Sequence, residues 1–235
     1  MKRFYRSRSR LLANLLQPLF FLLVFGFGFS RFPVGTGTTY LEFLAPGMVA
    51  MSVIFSSLFA GVSVLWDRQF GFLQEVLVAP VSRLTIVVGQ TLGGSTIALL
   101  QGFFIMVAAQ VLGVRFIAHQ LPLALLFMVL IAFFSAGLGL IIASRLEDPH
   151  GFQVIMNLII IPMVFLSTAF FPLEGLPGWL QGVVYLNPLT YGVDGLRGWL
   201  IGVFGLSPLL DLGLLAGFCT TTLLAAAYLF STSEI

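Results

Sequence analysis

Charge is what this sequence has least of: Asp, Glu, Lys and Arg make up 9% of its 235 residues, where soluble domains carry about 25%. Such a chain lacks the polar surface needed to face water all round, which excludes a soluble globular protein. Lysine occurs once, as Lys2. A phosphate-binding loop of the form G-x-x-x-x-G-K-[ST] needs a lysine after its second glycine, so the sequence cannot carry one. If ATP drives this protein, another chain binds it. The single cysteine, Cys219, excludes an internal disulfide and reads as a packing residue. A net charge of +2 is too small to suggest a nucleic-acid partner.

What is present is apolar length. The chain is 59% hydrophobic, with a mean hydropathy of +1.07. Six long apolar runs fall at about 11–29, 44–65, 84–112, 121–144, 153–171 and 208–230, and none has a charge at its centre. A helix of about 20 apolar residues matches a bilayer core of about 30 Å. One ionised side chain at a span centre would cost about 2.5–3.5 kcal/mol on insertion scales. A membrane barrel would instead alternate in polarity over segments of about ten residues. The reading is an all-α, polytopic membrane protein: one transmembrane domain over 1–235, with six spans. The first run is too long for a signal-peptide core and Gly28-Phe29-Ser30 offers no cleavage site, so it reads as a retained helix.

An even number of spans puts both termini on one side. If that side is the cytoplasm, Lys2, Arg3, Arg6, Arg8, Arg10, Arg68, Arg83 and Arg145 lie inside and Arg31, Arg115 and Arg197 outside. Eight against three follows the positive-inside rule. The lone loop histidines, His119 and His150, then fall on opposite faces and cannot share a metal. Glu42 and Asp211 sit at span edges, and no span centre holds a carboxylate or histidine for proton coupling. Gln90, Gln101, Gln110 and Asn157 read as helix-to-helix hydrogen bonders. Gly89-x-x-x-Gly93 and Gly213-x-x-x-Gly217 would allow close helix crossings. No enzyme constellation is present, and transport energised from outside the chain is the favoured reading.

Two connections are more than loops. Residues 66–83 (WDRQFGFLQEVLVAPVSR) place Phe70, Leu73 and Leu77 on one helical face, with Asp67, Gln74 and Glu75 elsewhere. Pro80 stops the pattern and Arg83 marks re-entry. This predicts a short amphipathic helix along the inner surface, either a passive interfacial element or a lever for a cytoplasmic partner. The outer connection, 172–207, is too long for an ordinary loop and carries Trp179, Tyr185, Tyr191 and Trp199. Pro172, Pro177 and Pro188 divide it into two short helices, roughly 178–186 and 189–201, dipping into the outer leaflet as a re-entrant hairpin. Asp194 and Arg197, at i,i+3, are expected to pair.

Several motifs carry a family resemblance along nearly the whole chain. Arg10-Leu11-Leu12, Gln17-Pro18-Leu19 and Gly26-Phe27-Gly28 resemble the first helix of the type-2 ABC exporter permeases, in particular those grouped with daunorubicin-resistance and nodulation-factor export. The run from Tyr40 through Glu42 to Pro46-Gly47 is similar to that family's entry to the second span. Asp67, Arg68, Gly71, Glu75, Leu77 and Ala79-Pro80-Val81-Ser82-Arg83 resemble its coupling region. Phe170-Phe171-Pro172-Leu173, Leu176-Pro177, Asn187-Pro188-Leu189-Thr190-Tyr191 and Asp194-Gly195-Leu196-Arg197 resemble its outer segment.

The resemblance implies a half-transporter in a bacterial inner membrane, paired with a second copy or a related permease. Two cytoplasmic ABC ATPase subunits would bind ATP and Mg; this chain would hold no cofactor or metal of its own. Asp67, Arg68, Phe70, Gly71, Leu73, Glu75, Leu77, Pro80 and Arg83 would then couple to the ATPase. The first, second and fifth spans would line the two-fold axis, giving Phe20, Phe21, Phe25, Met156, Asn157 and Phe165 as path residues. A Phe- and Met-rich wall suits a hydrophobic or amphipathic substrate, drug-like or lipid-like. Pro172, Pro177, Asn187, Pro188, Tyr191, Asp194 and Arg197 would form an outer gate. The competing readings are export of a lipid-linked oligosaccharide or polysaccharide, and an ATP-independent transporter or channel.

Overall fold

The structure, a computed structural model, describes residues 8–29, 37–69, 83–146 and 148–232. Among them every regular element is a helix: α1 (Arg8–Gly28), α2 (Tyr40–Gln69), α3 (Arg83–Val111), α4 (Leu121–Arg145), α5 (Pro149–Phe165), α6 (Gly178–Leu186), α7 (Pro188–Ile201) and α8 (Pro208–Thr232). Short 3-10 turns at Ala118–Gln120 and Leu173–Gly175 precede α4 and α6.

Four segments are long and apolar enough to cross a membrane: Tyr40–Ser63, Val88–Val111, Ala118–Arg145 and Pro208–Leu229. Leu15–Gly28 and Pro149–Phe165 are shorter apolar helices. Among the described residues, four of the six expected spans reach that length, and the first and fifth runs hold the two shorter apolar helices. The fifth run departs most from expectation: its helix covers Pro149–Phe165 rather than 153–171. Beyond Phe165 the chain turns, and Ser167 Oγ donates to the Val164 carbonyl while accepting from Ala169 N. These hydroxyl contacts satisfy backbone groups that a continuing helix would have paired.

Helix α2 is the hub: nearly all of its apolar length is buried, whereas most of α8 is not. Its start is a capping box: Thr39 N and Oγ1 both donate to Glu42 Oε2 at 2.9 Å, and Glu42 N returns a bond to Thr39 Oγ1. That accounts for an acid at the edge of a span. The helix packs on α1, α3, α4, α5 and α7. Ser57 Oγ donates to the Ala132 carbonyl of α4. Nearby, the α2 and α4 backbones meet at Gly61 and Gly139, where a methyl would strike main-chain atoms of the other helix. Among the described residues, the glycine pairs of the sequence reading make no such crossing within this chain: outside its own helix backbone, nothing lies within 4 Å of a notional Cβ at Gly89, Gly93, Gly213 or Gly217.

The same contrast governs α7. Eleven residues of this 14-residue helix are buried, between α2, α4 and α8. Gly195 lies against the fully packed Phe127 ring of α4, which a Cβ would overlap. Gly195→Ala is accordingly expected to destabilise the protein by about 1–3 kcal/mol, the usual range for overpacking. Gly213→Ala, in open space on α8, should be neutral or stabilising by up to about 1 kcal/mol, from helix propensity. Thermal unfolding of the two variants in one detergent checks the difference; equal midpoints would contradict the packing account.

Candidate functional site

The two helices expected in the outer connection are present, and their ends follow from their caps. Helix α6 starts after Pro177, and α7 starts with Asn187 as N-cap and Pro188 in its first turn. Asn187 Oδ1 accepts from Leu189 N at 3.0 Å, while its Nδ2 donates to the Met163 carbonyl of α5 at 2.6 Å. Thr190 Oγ1 and Tyr191 Oη donate back to the Val184 and Tyr185 carbonyls. The α6–α7 corner is thereby tied to α5 and closed on itself. At the far end Gly202, with φ of 79°, caps α7 through its N–H to the Gly198 carbonyl. Pro172 is half-buried and Pro177 exposed on the approach to α6.

Spacing of three puts Tyr191, Asp194 and Arg197 on one stripe of α7. Both charged residues are buried, with 1% and 3% of their surface exposed. Arg197 Nη2 donates to the Thr168 carbonyl at 2.5 Å and Nε to the Phe43 carbonyl at 3.3 Å. Its guanidinium lies 3.7 Å from the centroid of the Phe43 ring, within cation–π range. Asp194 Oδ1 is 3.9 Å from Nη1, a charge neighbour rather than a hydrogen-bond partner. The Asp194 carboxylate instead accepts from Gly205 N at 3.0 Å and Leu206 N at 2.8 Å. Burial lowers the Arg197 pKa to about 10, opposed by Asp194 and Tyr40, so the side chain stays cationic at neutral pH. One arginine thus joins α2, the 166–171 turn and α7, and one aspartate joins α7 to the chain entering α8.

Beside this cluster is a cavity of about 290 Å³ walled by Phe43, Thr168, Tyr185, Asp194, Arg197 and Phe204. Tyr40 Oη closes the adjoining turn by donating to the Phe170 carbonyl at 3.1 Å.

The expected path residues divide. Phe21, Phe25, Phe165 and Phe170 form one aromatic group with ring centroids 4.8–6.5 Å apart, which brings α1 to the end of α5. Phe20 is exposed at its edge. Met156 is turned into the contact with α2, while Asn157 is exposed. Val154, Leu158, Ile161 and Phe165 form an exposed apolar stripe along α5.

At the opposite end, Asp67 and Arg68 belong to the last turn of α2 and Arg83 opens α3. The first residues of the expected amphipathic helix thus continue α2. Phe70, Gly71, Leu73, Glu75, Leu77 and Pro80 lie outside the described residues. On the same end Asp148 caps α5, accepting from His150 N at 3.1 Å and Gly151 N at 2.8 Å. Those bonds hold its carboxyl below the usual range.

Sequence reasoning missed four participants in the buried cluster: Phe43, Thr168, Gly205 and Leu206. They act through backbone groups or a ring face, which leave no local signature.

Residues 1–201 match the ABC-2 type transporter family. The chain is 33% identical over 185 residues to a transport permease, ycf38, of Cyanophora paradoxa, covering 75% of this chain and 62% of that one. It is 32% identical over 180 residues to Nodulation protein J of Rhizobium meliloti (strain 1021), covering 74% and 68%. With the daunorubicin resistance ABC transporter permease protein DrrB1 of Streptomyces coeruleorubidus it shares 29% over 193 residues, covering 78% and 66%. Against the ycf38 permeases of Cyanophora paradoxa and Porphyra purpurea, the match spans 62% and 64% of their length. Matched over most of its length and built of long apolar helices, this chain belongs to the ABC-2 type transporter family.

Proposed function

We propose that this chain is the membrane-embedded permease subunit of an ATP-driven exporter, working as one half of a two-copy pathway in a bacterial inner membrane. The family match over residues 1–201 carries the proposal. The lack of any lysine beyond Lys2 supports it, because nucleotide must then be bound by a separate ATPase. The cargo is a hydrophobic or amphipathic molecule, drug-like or lipid-like. A relative named for daunorubicin resistance supports that class, as does the phenylalanine group where α1 meets α5.

The exposed stripe Val154, Leu158, Ile161 and Phe165 is the face assigned to the second copy, with α1 beside it. Both termini face the cytoplasm, and the segment 66–83 receives the ATPase stroke. Helices α6 and α7 form the outer gate, with α7 as its buried, clamped half. Affinity capture of the tagged chain from membranes tests the proposal. An ABC ATPase subunit should co-purify and the eluate should hydrolyse ATP. Capture of the intact chain with no nucleotide-binding protein, from cells where it is active in export, would contradict it.

A further inference from the structure

The start of α2, the α6–α7 hairpin and the chain entering α8 border the cavity of about 290 Å³, just under the range of about 300–1,000 Å³ usual for small-molecule pockets. Phe43 lies in the first turn of α2, and Val203, Phe204 and Gly205 lead into α8. The cavity therefore sits where two long spans begin, at headgroup depth. Trp179, exposed on α6, suits the same level.

Its wall carries one buried charge of each sign, and each has bonding capacity left. Arg197 commits Nη2 and Nε to the Thr168 and Phe43 carbonyls, whereas Nη1 donates to no group among the described residues. Asp194 Oδ1 accepts from Gly205 N at 3.0 Å, and a carboxylate oxygen has room for a further donor. Nη1 and Oδ1 are 3.9 Å apart, too far for a hydrogen bond and near enough for one small molecule to touch both.

This pairing selects a ligand by charge. A lone anion at Nη1 meets the Asp194 carboxylate, and a lone cation at Oδ1 meets the guanidinium. A ligand bearing both charges makes the four alternate, with a charge-assisted hydrogen bond at each end. Its cation must be a primary ammonium, because a quaternary one has no N–H to donate to Oδ1. Tyr185 and Phe204 complete the wall with aromatic rings, which attract cations. Gln181 brings no rival donor, since its Nε2 is held by the Leu173 and Leu176 carbonyls at 3.3 and 2.9 Å.

We propose that the cavity binds a small zwitterion, an anionic oxygen group joined to a primary ammonium by a short bridge, as in a phosphoethanolamine diester. That chemistry comes either as a phospholipid headgroup or as a soluble compound. At this size the cavity takes a headgroup or one small molecule rather than the cargo proposed above. Its occupancy is therefore independent of what is transported. A ligand bound to the folded state alone stabilises it, which gives the readout.

Thermal unfolding of the full chain in detergent at neutral pH tests this. Glycerophosphoethanolamine should raise the melting midpoint by about 2–4 °C once it exceeds its Kd several-fold. Glycerophosphocholine, glycerol phosphate and ethanolamine, at matched concentration, should not. Phosphatidylethanolamine in mixed micelles should act likewise, against phosphatidylcholine and phosphatidylglycerol. A response to the lipid far below the concentration needed for the soluble compound makes the occupant a membrane headgroup. Responses at similar concentrations make it a free zwitterion. Asp194→Asn keeps an oxygen for Gly205 N and Leu206 N but not the charge, and should lose the preference for the ethanolamine compounds. Val203→Trp, which fills the cavity from the chain entering α8, should lose the response altogether. Absence of any rise in the wild type with either ethanolamine compound would overturn the proposal whether or not the variants fold. So would equal rises with glycerophosphocholine or glycerol phosphate, or a full response in folded Val203→Trp.

Discussion

Arg197→Ala is expected to destabilise the folded chain by about 3–5 kcal/mol, the range for removing one partner of a buried charge pair. The loss has three parts. The Phe43 and Thr168 carbonyls lose their donor, the Phe43 ring loses its cation, and Asp194 loses its positive neighbour. Arg197→Lys should restore less than half of the stability. A single ammonium cannot stack on Phe43 and reach two carbonyls on different elements at once. Thermal or denaturant unfolding in detergent measures both. A loss below about 1 kcal/mol, as for an exposed ion pair, would mean that the cluster is incidental to the fold.

The second large effect is functional rather than structural. If residues 66–83 transmit the stroke of the ATPase, Glu75→Arg reverses a charge that helical spacing in the sequence would set opposite Phe70, Leu73 and Leu77. A mismatched charge against a partner costs several kcal/mol, whereas a change on a solvated face is usually within about half a kcal/mol. The variant should insert and fold normally yet lose transport, with weakened ATPase association. Full transport at matched expression would make the segment a passive interfacial helix.

How far the fold could be read in advance depended on how local its causes were. The bounds of α6 and α7 were legible because Pro177-Gly178 and Asn187-Pro188 are start signals and Gly202 is a stop signal. The long spans were legible from uncharged apolar length alone. The end of α5 was not, because 166–171 stays uncharged after Pro162 and the chain turns on hydroxyl–backbone contacts that hydropathy does not register.

The buried cluster was half legible. The i,i+3 spacing of Asp194 and Arg197 foretold their proximity, but 3.9 Å makes each a partner chiefly of other groups. Arg197 bonds a carbonyl 154 residues away in sequence, and Asp194 holds N–H groups 11 and 12 residues on. Such pairings exist only once α7 is packed between α2 and α8. Gly195 and Gly213 make the same point. Their codes are identical, and only the ring of Phe127 separates a required glycine from a tolerated one.

The most direct test of the central claim is reconstitution of the chain into liposomes with and without the ABC ATPase subunit that co-purifies with it, followed by flux of a fluorescent amphipathic probe. The account predicts that the chain alone neither binds ATP nor moves the probe, and that adding the ATPase with ATP and Mg produces flux that stops when hydrolysis is blocked. ATP-independent flux through the chain alone, or nucleotide hydrolysis by it without a partner, would contradict the account.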